Sequence, residues 1–185
     1  MASGNSTRKK KDQKEWAANL EREFMAAYEA NADMLFRHCL LRVRDREKAK
    51  DIVQEAFSRT WVYLSEGKEI EHIKAFLFRV ANNLIIDGAR KKKSSSLDAM
   101  MDEDGFEIAD DSITDPAEKQ GIREAMKLLS ELDEIYRVVI TMRYMDELSP
   151  KEIAAVLGVS ENVVSVRIHR AIVRLQALYN PVKPL

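Results

Sequence analysis

Between Leu148 and Ala171 the chain reads LSPKEIAAVLGVSENVVSVRIHRA, and no other stretch constrains the fold as tightly. Ser149 is placed to cap a helix, Pro150 suits the first helical position, where no amide hydrogen is needed, and Glu152 completes a capping box. Ile153, Ala154 and Leu157 then form an apolar face. Gly158 supplies a turn that a side chain would obstruct, and Val159 turns inward. Ser160 is placed to cap a second helix, whose Val164 and Ile168 stand i, i+4 on one buried side. Caps, turn glycine and apolar spacing together predict two short helices joined by a tight turn.

The other faces of the second helix carry Asn162, Val163, Ser165, Val166, Arg167, His169 and Arg170. In a helix-turn-helix, the early residues of the second helix, Ser160 onward here, reach base edges while arginines hold phosphates. An ordinary helical hairpin shares the caps and the apolar spacing. The small Ala154 at the helix crossing and the cationic, short-chained outer face favour DNA.

Charge balance points the same way once it is divided along the chain. The formal net charge of the 185 residues is only −1. Residues 97–118 carry nine Asp or Glu and no Lys or Arg. Without those nine, 22 acidic residues face 30 basic ones, a balance of about +8. A basic body with an acidic insert remains suited to nucleic acid. Cys39 is the single cysteine, which excludes an intrachain disulfide and favours a reducing compartment. His38 beside it, with His72 and His169 far along the chain, makes no metal-ligand spacing, so neither metal nor cofactor is expected. No apolar run approaches the roughly 20 residues of a membrane span, and the basic amino terminus lacks the apolar core of a secretory signal. The expected location is cytoplasmic, with no membrane insertion.

Residues 1–13, small, polar and basic, read as a disordered tail. From about 14 to 93 the periodicity is helical, without proline. Helices are expected near 15–29 and 32–43, with Trp16, Leu20, Phe24, Ala27, Leu35, Cys39 and Val43 apolar. A third is expected near 46–64, on a stripe of Ala49, Ile52, Val53, Ala56, Phe57, Thr60, Trp61 and Leu64. A fourth is expected near 70–90, on Ile73, Phe76, Leu77, Val80, Ala81, Leu84 and Ile85. Residues 94–115, rich in Asp and Ser, with Gly105 and without periodicity, read as an acidic flexible linker. Asp115 and Pro116 then open a second helical segment, 116–179, with helices near 116–129, 132–145, 149–157 and 160–178. The expected fold is all-α: two small helical domains and a negatively charged tether.

The third helix contains DIVQEAF at 51–57, and the fourth reads FLFRVANNLIIDGAR at 76–90. With the helix-turn-helix, these segments resemble the sigma-70-like transcription initiation factors of the small extracytoplasmic-function (ECF) type. The resemblance covers about residues 20–92 and 118–178, in the family's order: a sigma-2-like helical bundle, a linker, then a sigma-4-like helix-turn-helix domain.

That resemblance implies roles. Asp51, Gln54 and Glu55 resemble the surface that docks on the coiled coil of the large subunit of core RNA polymerase, and acidic and amide groups beside an apolar stripe suit a basic helix pair. Arg79, Asn82, Asn83, Arg90 and Lys91 resemble the surface that reads and opens the minus-ten promoter element. An asparagine amide both donates and accepts, which suits base edges, while the cations neutralise phosphate. The loop Ser65–Glu69 has no aromatic residue where relatives carry a base-capturing loop. Phe76, Phe78 and Trp61 read as core residues rather than stacking platforms. In the second domain Ser160, Asn162, Val163, Ser165, Val166, Arg167, His169 and Arg170 would face the minus-thirty-five element. Val163, Ser165 and Val166 stand where relatives often carry Thr, Lys and Ser. Val163 suits a thymine methyl, Arg167 and Arg170 suit the DNA backbone, and fewer polar side chains put more weight on DNA shape. The acidic linker suits either of two jobs, mimicry of nucleic acid in a basic channel or a self-repelling tether. Relatives are often held inactive by an anti-sigma factor, which adds a third expected partner beside core polymerase and promoter DNA.

A stand-alone helix-turn-helix regulator, with sensing or dimerising amino-terminal helices, explains the carboxy-terminal half equally well. It leaves DIVQE and the Arg79–Asn83 ridge without a task. An enzyme is not expected, because the chain has no paired catalytic carboxylates, nucleophile motif, phosphate loop or metal spacing.

Overall fold

A computed structural model of the chain describes residues 4–95 and 116–179, and every regular element in them is helical. The expected linker lies almost wholly outside these residues, as do residues 1–3 and 180–185. Two compact units divide the chain, Met1–Ala89 and Arg90–Leu185.

The first unit is built on α1 (Gly4–Val43), α2 (Arg46–Ser65) and α3 (Ile73–Ser95), whose last turns run on past the division. The two helices expected before residue 44 are one, and it starts inside the expected tail. No proline interrupts the segment, and Ala and Lys there are good helix formers. At the expected break, the buried amide of Asn31 donates to the Ala27 carbonyl at 2.8 Å, so its polar side chain is satisfied within the helix instead of ending it.

The α1–α2 turn is two residues long. Arg44 takes a left-handed φ of 53°, and Asp45 caps α2 by accepting from the Lys48 amide at 3.1 Å. The helices meet along an aromatic seam. Phe24 lies edge-on to Phe57 and Trp61, with centroids 6.0 and 5.0 Å apart, and Tyr28 lies 4.7 Å from Phe57. Leu35, Cys39, Ala49, Ala56, Leu77, Phe78 and Ala81 are buried, and the Phe78 ring packs edge-on against His38 of α1. Two expected core residues are displaced: Trp16 is exposed, and Trp61 keeps 36 % of its surface outside the seam.

The second unit contains α4 (Pro116–Ser130), α5 (Glu134–Ile140), α6 (Pro150–Leu157) and α7 (Glu161–Tyr179). Leu132, Tyr136, Ile140 and Ala171 form its apolar centre, with Leu129, Ile168, Ile172, Leu175 and Leu178 packed around them. The helix expected over 132–145 continues α5 as a wider π-turn over Thr141–Met145, where the Asp146 amide donates to the Thr141 carbonyl at 3.0 Å. Arg143 then donates to the Leu148 carbonyl at 3.2 Å, which ties this turn to the start of α6.

Candidate functional site

The helix-turn-helix forms as its local signals require. Ser149 and Glu152 make a reciprocal capping box: the Glu152 carboxylate accepts from the Ser149 amide at 2.8 Å, and the Ser149 hydroxyl accepts from the Glu152 amide at 3.3 Å. Gly158 closes α6 in the left-handed region at φ 66°, and the Val159 amide donates to the Ala154 carbonyl at 3.1 Å. The Ser160 hydroxyl accepts from the Val163 amide at 3.4 Å, a long capping bond. Ile153, Ala154, Val156 and Val164 are buried where the two helices meet.

With Val164 and Ala171 buried, α7 turns its opposite side outward. Ser160, Asn162, Val163, Ser165, Val166, His169 and Arg170 are exposed. Arg167 is half-buried, because its position turns toward the packed side. Arg174 is fastened instead to its own unit, paired with Asp133 and stacked 4.3 Å over the Tyr136 ring.

On α2, Asp51, Gln54 and Glu55 are all exposed beside the half-buried Ile52 and Val53. Glu55 accepts from Arg59 Nε at 2.7 Å, and a shallow groove runs past them between Ser58, Val62, Tyr63 and Glu66. At the start of this helix the Lys48 ammonium, 2.6 Å away, and then the Lys48 amide hold the Asp45 carboxyl below the ordinary aspartate range.

On α3, Arg79, Asn83, Arg90 and Lys91 are exposed. The Arg79 guanidinium lies 5.1 Å over the Phe76 ring, which supports it from below. Asn82 departs from this ridge. Only 3 % of it is exposed, and its amide oxygen faces Arg42 Nη1 of α1 at 3.5 Å. One residue is a 100° rotation on a helix, enough to turn Asn82 into the packing while Asn83 faces out. Asn82 thus joins α1 and α3, while Asn83 holds the outward position.

Of the two phenylalanines and the tryptophan assigned to the core, Phe78 is fully buried, Phe76 half-buried and Trp61 partly exposed. Sequence reasoning passed over Tyr63, whose ring lies 4.9 Å from Phe76 and beneath Lys68 of the loop that follows α2. The Glu66 carboxylate, 2.5 Å from the Lys68 ammonium, raises the pKa of that lysine. Tyr63 sits just off the apolar stripe, so periodicity carried no sign of it. Among the described residues, no group of three or more His, Cys, Asp or Glu is arranged to hold a metal ion.

These features define a class: helical proteins of two units whose second unit presents a helix-turn-helix. Known proteins narrow it. The family model for sigma-70 region 2 matches residues 27–95, and that for sigma-70 region 4 matches residues 122–175. The ECF RNA polymerase sigma factor SigM of Bacillus subtilis is 30 % identical over 154 residues, which is 83 % of this chain and 93 % of SigM. The ECF RNA polymerase sigma factor SigL of Mycobacterium tuberculosis is 31 % identical over 160 residues, 84 % of this chain and 89 % of SigL. The sigma factor RpoE of Bartonella quintana, solved in complex with the anti-sigma factor NepR, has the same fold. Its TM-score is 0.67 at 21 % identity, over 90 % of this chain and 99 % of RpoE. The chain belongs to the sigma-70 family of RNA polymerase sigma factors, in its ECF group.

Proposed function

We propose that this sigma factor docks on core RNA polymerase through Asp51, Gln54 and Glu55 of α2. Arg79, Asn83, Arg90 and Lys91 of α3 then engage and open the minus-ten element, and the exposed side of α7 lies in the major groove of the minus-thirty-five element. The observation that carries this reading is the outward side of α7: past Glu161, short side chains follow a capped helix end, where a docked helix meets bases, and lead on to His169 and Arg170. Arg79 and the cations at the end of α3 suit phosphate, and Asn83 suits a base edge. Arg170 supplies backbone anchoring more than Arg167 does, because it is the more exposed.

The chain catalyses nothing in this scheme, and polymerase supplies the nucleotidyl chemistry. It works in the cytoplasm beside polymerase and needs no metal or cofactor. Among the described residues, no helix is long and apolar enough to cross a membrane. An anti-sigma factor that covers the same surfaces would hold it inactive, as suggested by the RpoE–NepR complex.

In vitro transcription with purified core polymerase tests the scheme. Addition of the chain should produce RNA from defined start sites, and Arg170→Ala should weaken promoter binding for all sequences and lower the salt slope by about one. A chain that binds DNA but not core polymerase would instead be a stand-alone regulator.

A further inference from the structure

Val163 and Val166 are 37 % and 40 % exposed on the outward side of α7. Helix stability does not account for them, since branched valine is a poorer helix former than alanine or lysine. They have no hydrogen-bonding side-chain atom, so they cannot read the donor and acceptor pattern of a groove. One base-specific group in the major groove suits them, the C5-methyl of thymine. Their placement fits that group twice. They stand i, i+3 on neighbouring turns, about 4.5 Å apart along the helix axis. Stacked base pairs are about 3.4 Å apart. Arg170 continues the same line one turn further on, where a cation reaches phosphate.

We propose that Val163 and Val166 form an apolar clip that reads the C5-methyl groups of two thymines on neighbouring base pairs of the minus-thirty-five element. This rests on the placement of α7 in the major groove argued above. Uracil pairs as thymine does but lacks the methyl, and 5-methylcytosine carries a methyl at the equivalent ring position. The clip therefore discriminates thymine from uracil, and 5-methylcytosine from cytosine, at the same two positions.

The test uses holoenzyme assembled from core RNA polymerase and the full chain, at one fixed salt concentration. Promoter duplexes with a randomised upstream block are prepared in three forms, with thymine, with uracil in its place, and with 5-methylcytosine in place of cytosine. Bound duplexes are sequenced. Two adjacent thymines should be enriched in the first pool. Each should lose about three- to fourfold of its enrichment in the uracil pool, the effect of exposing one methyl-sized group. 5-Methylcytosine should gain at those positions in the third pool. Val163→Ser should abolish the discrimination at one position and Val166→Ser at the other, with circular dichroism reporting whether each variant keeps its helix content. Equal enrichment of thymine and uracil, or discrimination unchanged in the serine variants, overturns the clip. If Arg170→Ala still weakens binding to every pool in that case, α7 lies in the groove and methyl reading alone fails. If neither Arg170→Ala nor the sequence of the upstream block affects binding, the placement of α7 fails with it.

Discussion

The two units reach helical structure by different routes. In the second, each boundary of the helix-turn-helix carries its own local instruction: Ser149 and Glu152 at the start of α6, Gly158 at its end, and Ser160 before α7. In the first, α1 runs through 40 residues without such punctuation; the turn that ends it holds Arg44 in left-handed backbone, as the turn before α6 holds Glu147. Local chemistry specifies the turn between α6 and α7, whereas in the first unit the Asp45 cap is joined by packing of the aromatic seam and the Leu35–Phe78 interior. A substitution at a turn should therefore matter more in the second unit, and a core truncation should dominate in the first.

The largest effect tests the interior of the first unit. Phe78→Ala removes a fully buried ring and should cost about 3–5 kcal/mol. Both tryptophans, Trp16 and Trp61, belong to this unit, so denaturant unfolding followed by their fluorescence reads the loss there. A loss under about 1 kcal/mol, far below the usual range for phenylalanine truncation, would mean that packing does not govern the first unit. Gly158→Ala comes next. A Cβ at Gly158 would meet nothing within 4 Å, so the cost is the left-handed backbone alone, about 1–2 kcal/mol by circular dichroism melts. Ser149→Ala removes one half of the capping box and should lower stability by about 1 kcal/mol in the same measurement. Arg44→Gly sharpens the contrast from the other side. It relieves the backbone strain of the α1–α2 turn but loosens the unfolded chain, so stability should rise by less than about 1 kcal/mol. A large destabilisation would show that the arginine side chain, not the packing around the turn, holds it.

The smallest effect concerns pH. The Asp45 carboxyl is held below its ordinary range by Lys48, so the folded state favours its charged form. That contribution is complete above the ordinary aspartate range and fades as pH falls through and below it. Asp45→Asn retains a capping oxygen and should remove this part of the acid dependence, read by amide hydrogen exchange in the first turn of α2.

Periodicity identified the long helical faces, and it did so well where both sides of the stripe were packed. Ala49, Ala56, Phe57 and Thr60 lie inside as the spacing of α2 requires. It was less informative at the rims. Trp16 and Trp61 share the register of buried neighbours yet are exposed, because a helical stripe continues past the point where a partner helix covers it. Fine discrimination along α3 was not legible either. Asn82 and Asn83 are the same residue type one position apart, and the Arg42 side chain, forty residues earlier, marks which of them turns inward.

Sequence alone determined the helical class, the order of the helices from α2 onward and the turn between α6 and α7. All of these depend on groups within a few residues of one another: caps, a left-handed glycine and the 3.6-residue repeat. Tertiary structure decided which polar side chains remain accessible. Asn82 is lost to packing, Arg167 is half-lost, and Val163 and Val166 are left outward. The physical reason is that burial depends on what lies opposite a helix, and that neighbour comes from a distant part of the chain.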